Sequence, residues 1–409
     1  MHIESPQPQY DVVVVGGGMV GASFALDLAR RCDNADLKIL IVEAIASSDL
    51  NDQPSFDARS TALSFGSKTI YEAMGLWSAL AETVTPILQI QVSDRGRFGS
   101  TQLTHAEQGV AALGYVVENR ELGRVLNHSL AASSVIEQLA PATITGVVPR
   151  ASGMQLTVLN GDHEIEVNGS LVVLADGGRS PICKNLGIGH KQEDYGQHAI
   201  ITNIAFELPH AGTAFERFTD SGPLAVLPLA SFDGLNRGAL VWTVAAERSA
   251  DLLDCDDKRF LAGLTDYFGG RLGEITHVGE SYAYPLVLTQ AQEQIRPGLV
   301  LLGNVAHTLH PVAGQGLNLA LRDSASLAQH LESAWRHQRG LGEMAVLQAY
   351  LDSQDADQQQ SILFTDQMVK MFSNNELMRS SLRKLGLVGL ELMPSLRNQF
   401  ARAAMGLKS

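Results

Sequence analysis

Cysteine is scarce: the 409 residues carry three, Cys32, Cys183 and Cys255, far apart in the chain. An odd, scattered set excludes a disulfide framework and a Cys-rich metal site, and it fits a reducing compartment such as the cytoplasm. Basic charge is also short. Against 44 Asp and Glu stand 30 Lys and Arg, and the net charge of −14 excludes a broad nucleic-acid-binding surface. Charged residues of both signs make up 18% of the chain, too few for a long disordered polymer. No apolar run approaches the roughly 18 residues a membrane-spanning helix needs. Residues 1–9 are polar, contain Pro6 and Pro8, lack an apolar signal core and read as a loose tail. Internal repeats, low-complexity tracts, metal-ligand spacings and a Ser/His/Asp signature are all missing.

What is present is ample apolar material, 45% of the residues. At roughly 150 residues per domain the length predicts two to three domains with a sizeable core. Tyr10–Val15 (YDVVVV) and Lys38–Val42 (KILIV) read as strands buried on both faces of a parallel sheet, with a helix over Val20–Arg31 between them. Ser60–Leu80 and Arg120–Ala132 look helical, Val110–Val117 strand-like, and Leu171–Leu174 and Leu299–Leu302 are further buried strands. From Ile200 to Leu288 strand-like runs dominate, interrupted by a helix near Asp257–Phe268, which suggests a second sheet inserted into the first domain. A long helix is expected from about Gly316 to His337.

Three motifs carry chemistry. Gly16-Gly17-Gly18-Met19-Val20-Gly21 is a G-x-G-x-x-G between strand and helix, and Glu43 ends the next strand, 22 residues after Gly21. Gly16 permits the turn, Gly18 lets backbone approach a pyrophosphate at the helix N-terminus, and Gly21 lets the helix pack on the strand. An acid at Glu43 accepts ribose hydroxyls and repels a 2′-phosphate, which excludes NADP but does not separate FAD from NAD. The second motif is Asp176-Gly177-Gly178-Arg179-Ser180. The third begins at Gly303-Asn304 and runs through His307 and Pro311 to Gly314-Gln315-Gly316-Leu317-Asn318. There, glycines allow close approach to a flat ring and the following helix aims its positive end at it. A second G-x-G-x-x-G is missing, so any nicotinamide donor binds transiently.

In order and spacing these motifs resemble those of the single-component FAD-dependent aromatic hydroxylases, which share the p-hydroxybenzoate hydroxylase fold. Asp57-x-Arg59-x-x-Ala62-Leu63, Val116-Val117-Glu118-Asn119 and His307-Thr308-Leu309-His310-Pro311-Val312-Ala313-Gly314-Gln315-Gly316 are similar to the ubiquinone-biosynthesis branch. Val92–Gly96, Ala214–Thr219, Gly222–Ala225 and Ile275–His277 before Tyr284-Pro285-Leu286 resemble members acting on 2-polyprenyl-6-methoxyphenol. Asn304 stands where the wider family has aspartate, and Cys183 and Asn119 where it often has arginine.

The resemblance implies a Rossmann-like FAD-binding domain (1–75, 106–195 and 286–374) with an inserted mixed β-sheet substrate domain (76–105 and 196–285). It implies FAD held by Gly16, Gly18, Gly21, Glu43, Arg59, Asp176, Asn304, Gly314, Gly316, Leu317 and Asn318. Pro311, His310 and Gly314 would stand at the reacting ring, with His310 either lining the ring cavity or packing in its loop. The implied reaction is hydroxylation of a polyprenylated phenol to the 1,4-benzoquinol through a flavin C4a-hydroperoxide, with O2 as oxidant and NAD(P)H as donor. A hydroxylase for another ring position, or a flavin-binding scaffold among other ubiquinone-biosynthesis proteins, is the alternative.

From Asn375 onward the chain has six Lys or Arg against two acids, and Leu382, Leu385, Val388 and Leu392 share one helical face. This segment (375–409) is expected to be an amphipathic helical tail. It would rest on the inner face of the cytoplasmic membrane, on a partner, or on its own core.

Overall fold

The run Val12–Val15 sends alternate side chains into two different cores. Val12 and Val14 meet Ile39, Ile41, Leu171 and Val173 on one face; Val13 and Val15 meet Leu40, Val42, Val172 and Leu174 on the other. Burial of both faces is why the run is apolar throughout rather than alternating. The computed structural model describes residues 9–32, 36–46, 59–95, 100–309, 314–372 and 405–406.

In chain order, β1 (Gln9–Val15), α1 (Met19–Cys32) and β2 (Ile39–Val42) form a βαβ unit. Next come β3 (Ser60–Ser64), α2 (Phe65–Ala73), α3 (Trp77–Leu80), β4 (Thr85–Ile87), β5 (Gln89–Asp94) and β6 (Ser100–Thr104). After β7 (Gly114–Glu118), α4 (Asn119–Ala132) and β8 (Ile136–Leu139), a meander of β9 (Thr143–Arg150), β10 (Gly153–Asn160) and β11 (His163–Leu174) ends at α5 (Ile182–Asn185). Then follow β12 (His190–Phe206), β13 (Thr213–Thr219), β14 (Gly222–Phe232), β15 (Leu235–Ala245), α6 (Ala246–Leu253), α7 (Asp257–Phe268), β16 (Ile275–Val278) and β17 (Tyr282–Ala291). The last elements are β18 (Ile295–Arg296), β19 (Leu299–Leu301), a 3-10 turn at Gly303–Val305, β20 (His307–Thr308), α8 (Gln315–Arg336) and α9 (Met344–Phe372).

The first sheet has the order β18-β19-β11-β1-β2-β8, with β10 and β9 added beyond β11. Strands β19, β11, β1, β2 and β8 run parallel, and Leu301, Leu174, Val15 and Val42 stand side by side at their carboxyl ends. The loops leaving those four positions therefore share one edge, the edge at which open parallel sheets bind ligands. The second sheet has the order β20-β17-β12-β15-β14-β13-β5-β6, with β16 beside β12, and is antiparallel except where β13 meets β5. One of its faces is covered by α7, where Trp242 packs edge-on to Phe260 at 5.8 Å. A small sheet, β3-β7-β4, lies in the chain before and after the β5-β6 excursion.

Two sequence expectations are corrected. Ser60–Leu80 is not helical throughout: Ser60–Ser64 pairs antiparallel with β7, and α2 begins only after Ser64, whose side chain caps it by accepting from the Ser67 amide. The strand expected over Val110–Val117 occupies Gly114–Glu118. The tail expectation for 375–409 lies outside the described residues apart from Met405 and Gly406.

Candidate functional site

The four loops at the carboxyl edge of the first sheet are those the sequence singled out. The first follows β1. Gly16 has φ +100°, and a Cβ there would lie 2.7 Å from the Ala175 carbonyl oxygen, so only glycine lets the two loops touch. A Cβ on Gly21 would lie 2.0 Å from the Gly16 oxygen, which shows how tightly α1 packs on the turn. Glu43 follows β2. Its carboxylate accepts from the Gly17 amide at 2.6 Å and the Ile45 amide at 3.1 Å, which leaves each oxygen a lone pair to spare, and the residue lines the cavity.

Asp176 follows β11 and ties its own loop, accepting from the amides of Gly178 at 2.9 Å and of Ser180. Asn304 follows β19 in the 3-10 turn, with its side chain exposed. Gly314, left-handed at φ 62° and ψ 28°, caps α8, and Gly316 and Leu317 form its first turn.

These loops enclose one end of a cavity of about 1140 Å³. That exceeds the usual range of roughly 300–1,000 Å³ for a pocket that holds a single small ligand. Gly16, Gly18, Glu43, Arg59, Asp176, Asn304, Gly314, Gly316, Leu317 and Asn318 line it; Gly21 does not. The other end is roofed by the second sheet, with Ile201, Ala225, Leu227, Val241, Tyr282 and Tyr284 facing inward. Arg59 lies 4.8 Å from the Tyr284 ring centroid, a cation–π contact that joins the two ends.

The residues fit a dinucleotide such as FAD. A side-chain-free turn at the N-terminus of α1, an acid with lone pairs to spare and an exposed amide lie along one wall. The hydroxyls of Ser60 and Ser180, both on the wall, are buried with no partner among the described residues. Polar groups left in that condition are costly unless a ligand meets them.

Asn318 lines the cavity, and its side chain also holds the turn. Its carboxamide accepts from the Ser64 amide at 2.8 Å and the Ser67 hydroxyl at 2.6 Å, and donates to the carbonyls of Ala62 at 2.9 Å and Gly314 at 2.6 Å. Those four bonds exhaust an amide side chain. Asn318 thus clamps the Gly314 turn to β3 and α2 through its side chain. His310 and Pro311 lie outside the described residues. His307, 2% exposed, turns inward to Asp323 at 2.8 Å. Burial pushes the Cys32 and Cys183 thiols up to about 11, which keeps them protonated and inert near neutrality.

Alternation on the second sheet, undecided from sequence, is settled by register. Trp242 and Leu224 face α7, whereas Tyr282 and Tyr284 face the cavity. Glu216, which no motif marks, lies on the cavity side of β13, and burial pushes its carboxyl up to about 7. The alternation of Ala214-Phe215-Glu216-Arg217-Phe218 held the signal, but nothing in the sequence said which parity faces inward.

An FAD binding domain family model matches residues 9–362. Over 398 residues the chain is 35% identical to ubiquinone hydroxylase UbiL of Rhodospirillum rubrum, covering 97% of this chain and 89% of that protein. It is 30% identical over 398 residues to 3-demethoxyubiquinol 3-hydroxylase of Escherichia coli, with 97% and 98% covered. Among solved structures, p-nitrophenol 4-monooxygenase PnpA of Pseudomonas putida shares the fold, with a TM-score of 0.79 at 16% identity over 98% of this chain and 100% of that one.

Proposed function

The chain belongs to the FAD-binding-domain family of flavoprotein monooxygenases, and from that premise we propose that it hydroxylates the ring of a polyprenylated phenol in ubiquinone synthesis. The substrate proposed is 2-polyprenyl-6-methoxyphenol and the product the corresponding 1,4-benzoquinol. The observation that carries this reading is a single cavity that joins a dinucleotide cradle to a roof of aliphatic and aromatic side chains. Such a roof suits an apolar ring with a hydrocarbon substituent better than a sugar or a charged acid.

Gly16 and Gly18 would receive the FAD pyrophosphate at the N-terminus of α1, and Glu43 the ribose hydroxyls. Asn304 would meet the ribityl chain, and the Gly314–Leu317 backbone the ring. When bound, FAD supplies the redox chemistry that activates O2. The chain's own part is positional and electrostatic. The N-terminus of α8 sets a positive dipole where negative charge collects on the ring. Arg59, held over Tyr284, adds a fixed cation at the junction. Ile201, Leu227 and Val241 exclude water from the reacting side. NAD(P)H as a transiently bound donor, and the phenol-binding sheet as an inserted substrate domain, belong to the same proposal.

Mass spectrometry of the quinone precursor that accumulates when the gene is deleted tests the ring position. Accumulation of 2-polyprenyl-6-methoxyphenol is expected. Accumulation of a precursor already oxygenated at the position para to the hydroxyl would assign the enzyme to another ring carbon.

A further inference from the structure

Across the cavity face of the second sheet runs a row of side chains in lateral register. Glu216 lies opposite Ala225, Ala225 opposite Val241, Val241 opposite Ile201, and Ile201 opposite Tyr282. All five line the cavity. The row is thus a strip of three aliphatic side chains with a carboxyl at one end and a phenol at the other. On its outer side Glu216 neighbours Val92 of β5. Among the described residues no hydrogen bond or ion pair reaches its carboxylate, and burial is the sole cause that raises its proton affinity. Among the described residues, the other charged groups on the cavity wall are Glu43, Asp176 and Arg179 at the nucleotide end and Arg59 at the junction. Besides Glu216, the titratable groups that the described residues place on the sheet face are Tyr282 and Tyr284.

A carboxylate in an apolar wall is stabilised only if a donor comes to it, and here none of the described residues supplies one. A phenol lying flat on the aliphatic strip brings its own donor. We propose that Glu216 receives the hydroxyl proton of the phenolic ring seated against this row. The inference rests on the reading of the substrate as a phenol and names the base that reading lacks. In the step, the phenol O–H bond breaks and an O–H bond forms on a Glu216 carboxylate oxygen. The electron pair stays on the phenolate oxygen, where it enriches the ring carbons ortho and para to it. The pair of groups carries one negative charge before and after, and no oxidant or reductant enters. A carboxyl that titrates at about 7 is well matched to such a transfer near neutral pH.

The test uses the purified, flavin-loaded protein without reductant. It is titrated with 2-methoxyphenol carrying a five-carbon prenyl group at C6, and with the O-methyl ether of the same compound; binding is followed by flavin absorbance. At pH 8 the phenol is expected to bind about 10- to 100-fold tighter than the ether. The preference should shrink as the pH falls below about 7, where Glu216 is protonated. Glu216→Gln should keep its flavin, bind phenol and ether within a few-fold of each other, and lose the pH dependence; Glu216→Asp should restore part of the preference. In turnover, Glu216→Gln should lose about 100-fold or more near pH 7, and less near pH 10, where the phenol ionises unaided. An undiminished phenol preference in Glu216→Gln, or turnover with the parent's rate and pH profile, would overturn the proposal. Should the prenyl phenol fail to bind while 4-nitrophenol binds with the same dependence on Glu216, the substrate reading falls and the role of Glu216 stands. Binding of no phenol at all overturns both.

Discussion

A methyl group on Gly21 would sit 2.0 Å from the Gly16 carbonyl oxygen. The helix would have to lift off the turn, because both partners are backbone. Gly21→Ala is therefore expected to purify without flavin and with a lowered melting temperature. A parent-like flavin content in that variant would contradict the packing role. Glu216 makes the second prediction at this scale. Its carboxyl rises from 4.5 to about 7 because burial disfavours the charged form. An acid raised in this way holds its proton more tightly in the folded chain than in the unfolded one. Its contribution to stability is thus fully present below about 4.5 and lost as the pH rises through about 7. Glu216→Gln has no charge to desolvate. The variant should be more stable than the parent above pH 7, by at most about 3 kcal/mol, and equal to it near pH 4.5. Urea denaturation across that range measures it, and a difference that does not grow with pH would refute the assignment. These two residues also mark what is legible locally. Gly16, Gly18, Gly21 and Glu43 act through spacing within one βαβ unit, which the sequence displays. Glu216 acts through cross-strand register with Ala225 and Val92, which it does not.

Among the elements, the junction of β3, α2 and α8 organises the ring end of the cavity. Ser64 caps α2, Ser67 donates to Asn318, and Asn318 holds the left-handed Gly314 at the start of α8. Removing that amide leaves the Ser64 amide and the Ala62 carbonyl without the partner they have here, in a site where Asn318 is 1% exposed, and frees the Gly314 turn from β3. Asn318→Ala is expected to cost about 2–4 kcal/mol of stability and to loosen flavin binding with it. A change below about 0.5 kcal/mol in urea denaturation would show that the knot is dispensable. The junction also explains the error over Ser60–Leu80. Leu63 pairs with Tyr115 on β7, a residue some 50 positions away, and that pairing overrides a local pattern compatible with helix. The parallel strands, by contrast, were readable because burial on both faces leaves an unbroken apolar run. The third motif displays Asn318, but the four bonds that saturate its carboxamide become visible only with β3 and α2 in place.

At the scale of the whole molecule, an acidic chain of net charge −14 ends in a basic segment. Among the described residues no helix is long and apolar enough to cross a membrane. Met405 is 3% exposed in the cluster of Ile87, Leu113 and Ala214 that flanks the cavity, and its carbonyl accepts from the Gly66 amide at 2.9 Å. Part of the tail is thus docked on the protein itself. A form ending at Asn374 should melt earlier, because it uncovers that cluster. It should also lose whatever salt-sensitive flotation with anionic liposomes the full chain shows, since basic residues near an anionic leaflet contribute about 1 kcal/mol each at low salt. Equal flotation of the two forms at both salt concentrations would leave the tail a packing element alone. One measurement tests most directly whether the cavity that joins the nucleotide cradle to the apolar roof hydroxylates a phenol. Purified protein with FAD, a nicotinamide reductant and a short-prenyl 2-methoxyphenol is supplied with ¹⁸O2, and the product is analysed by mass spectrometry. One ¹⁸O atom on the ring, para to the phenol oxygen and in proportion to reductant consumed, is the expected result. Reductant consumption that yields only peroxide, with an unlabelled ring for every phenol offered, would contradict the account.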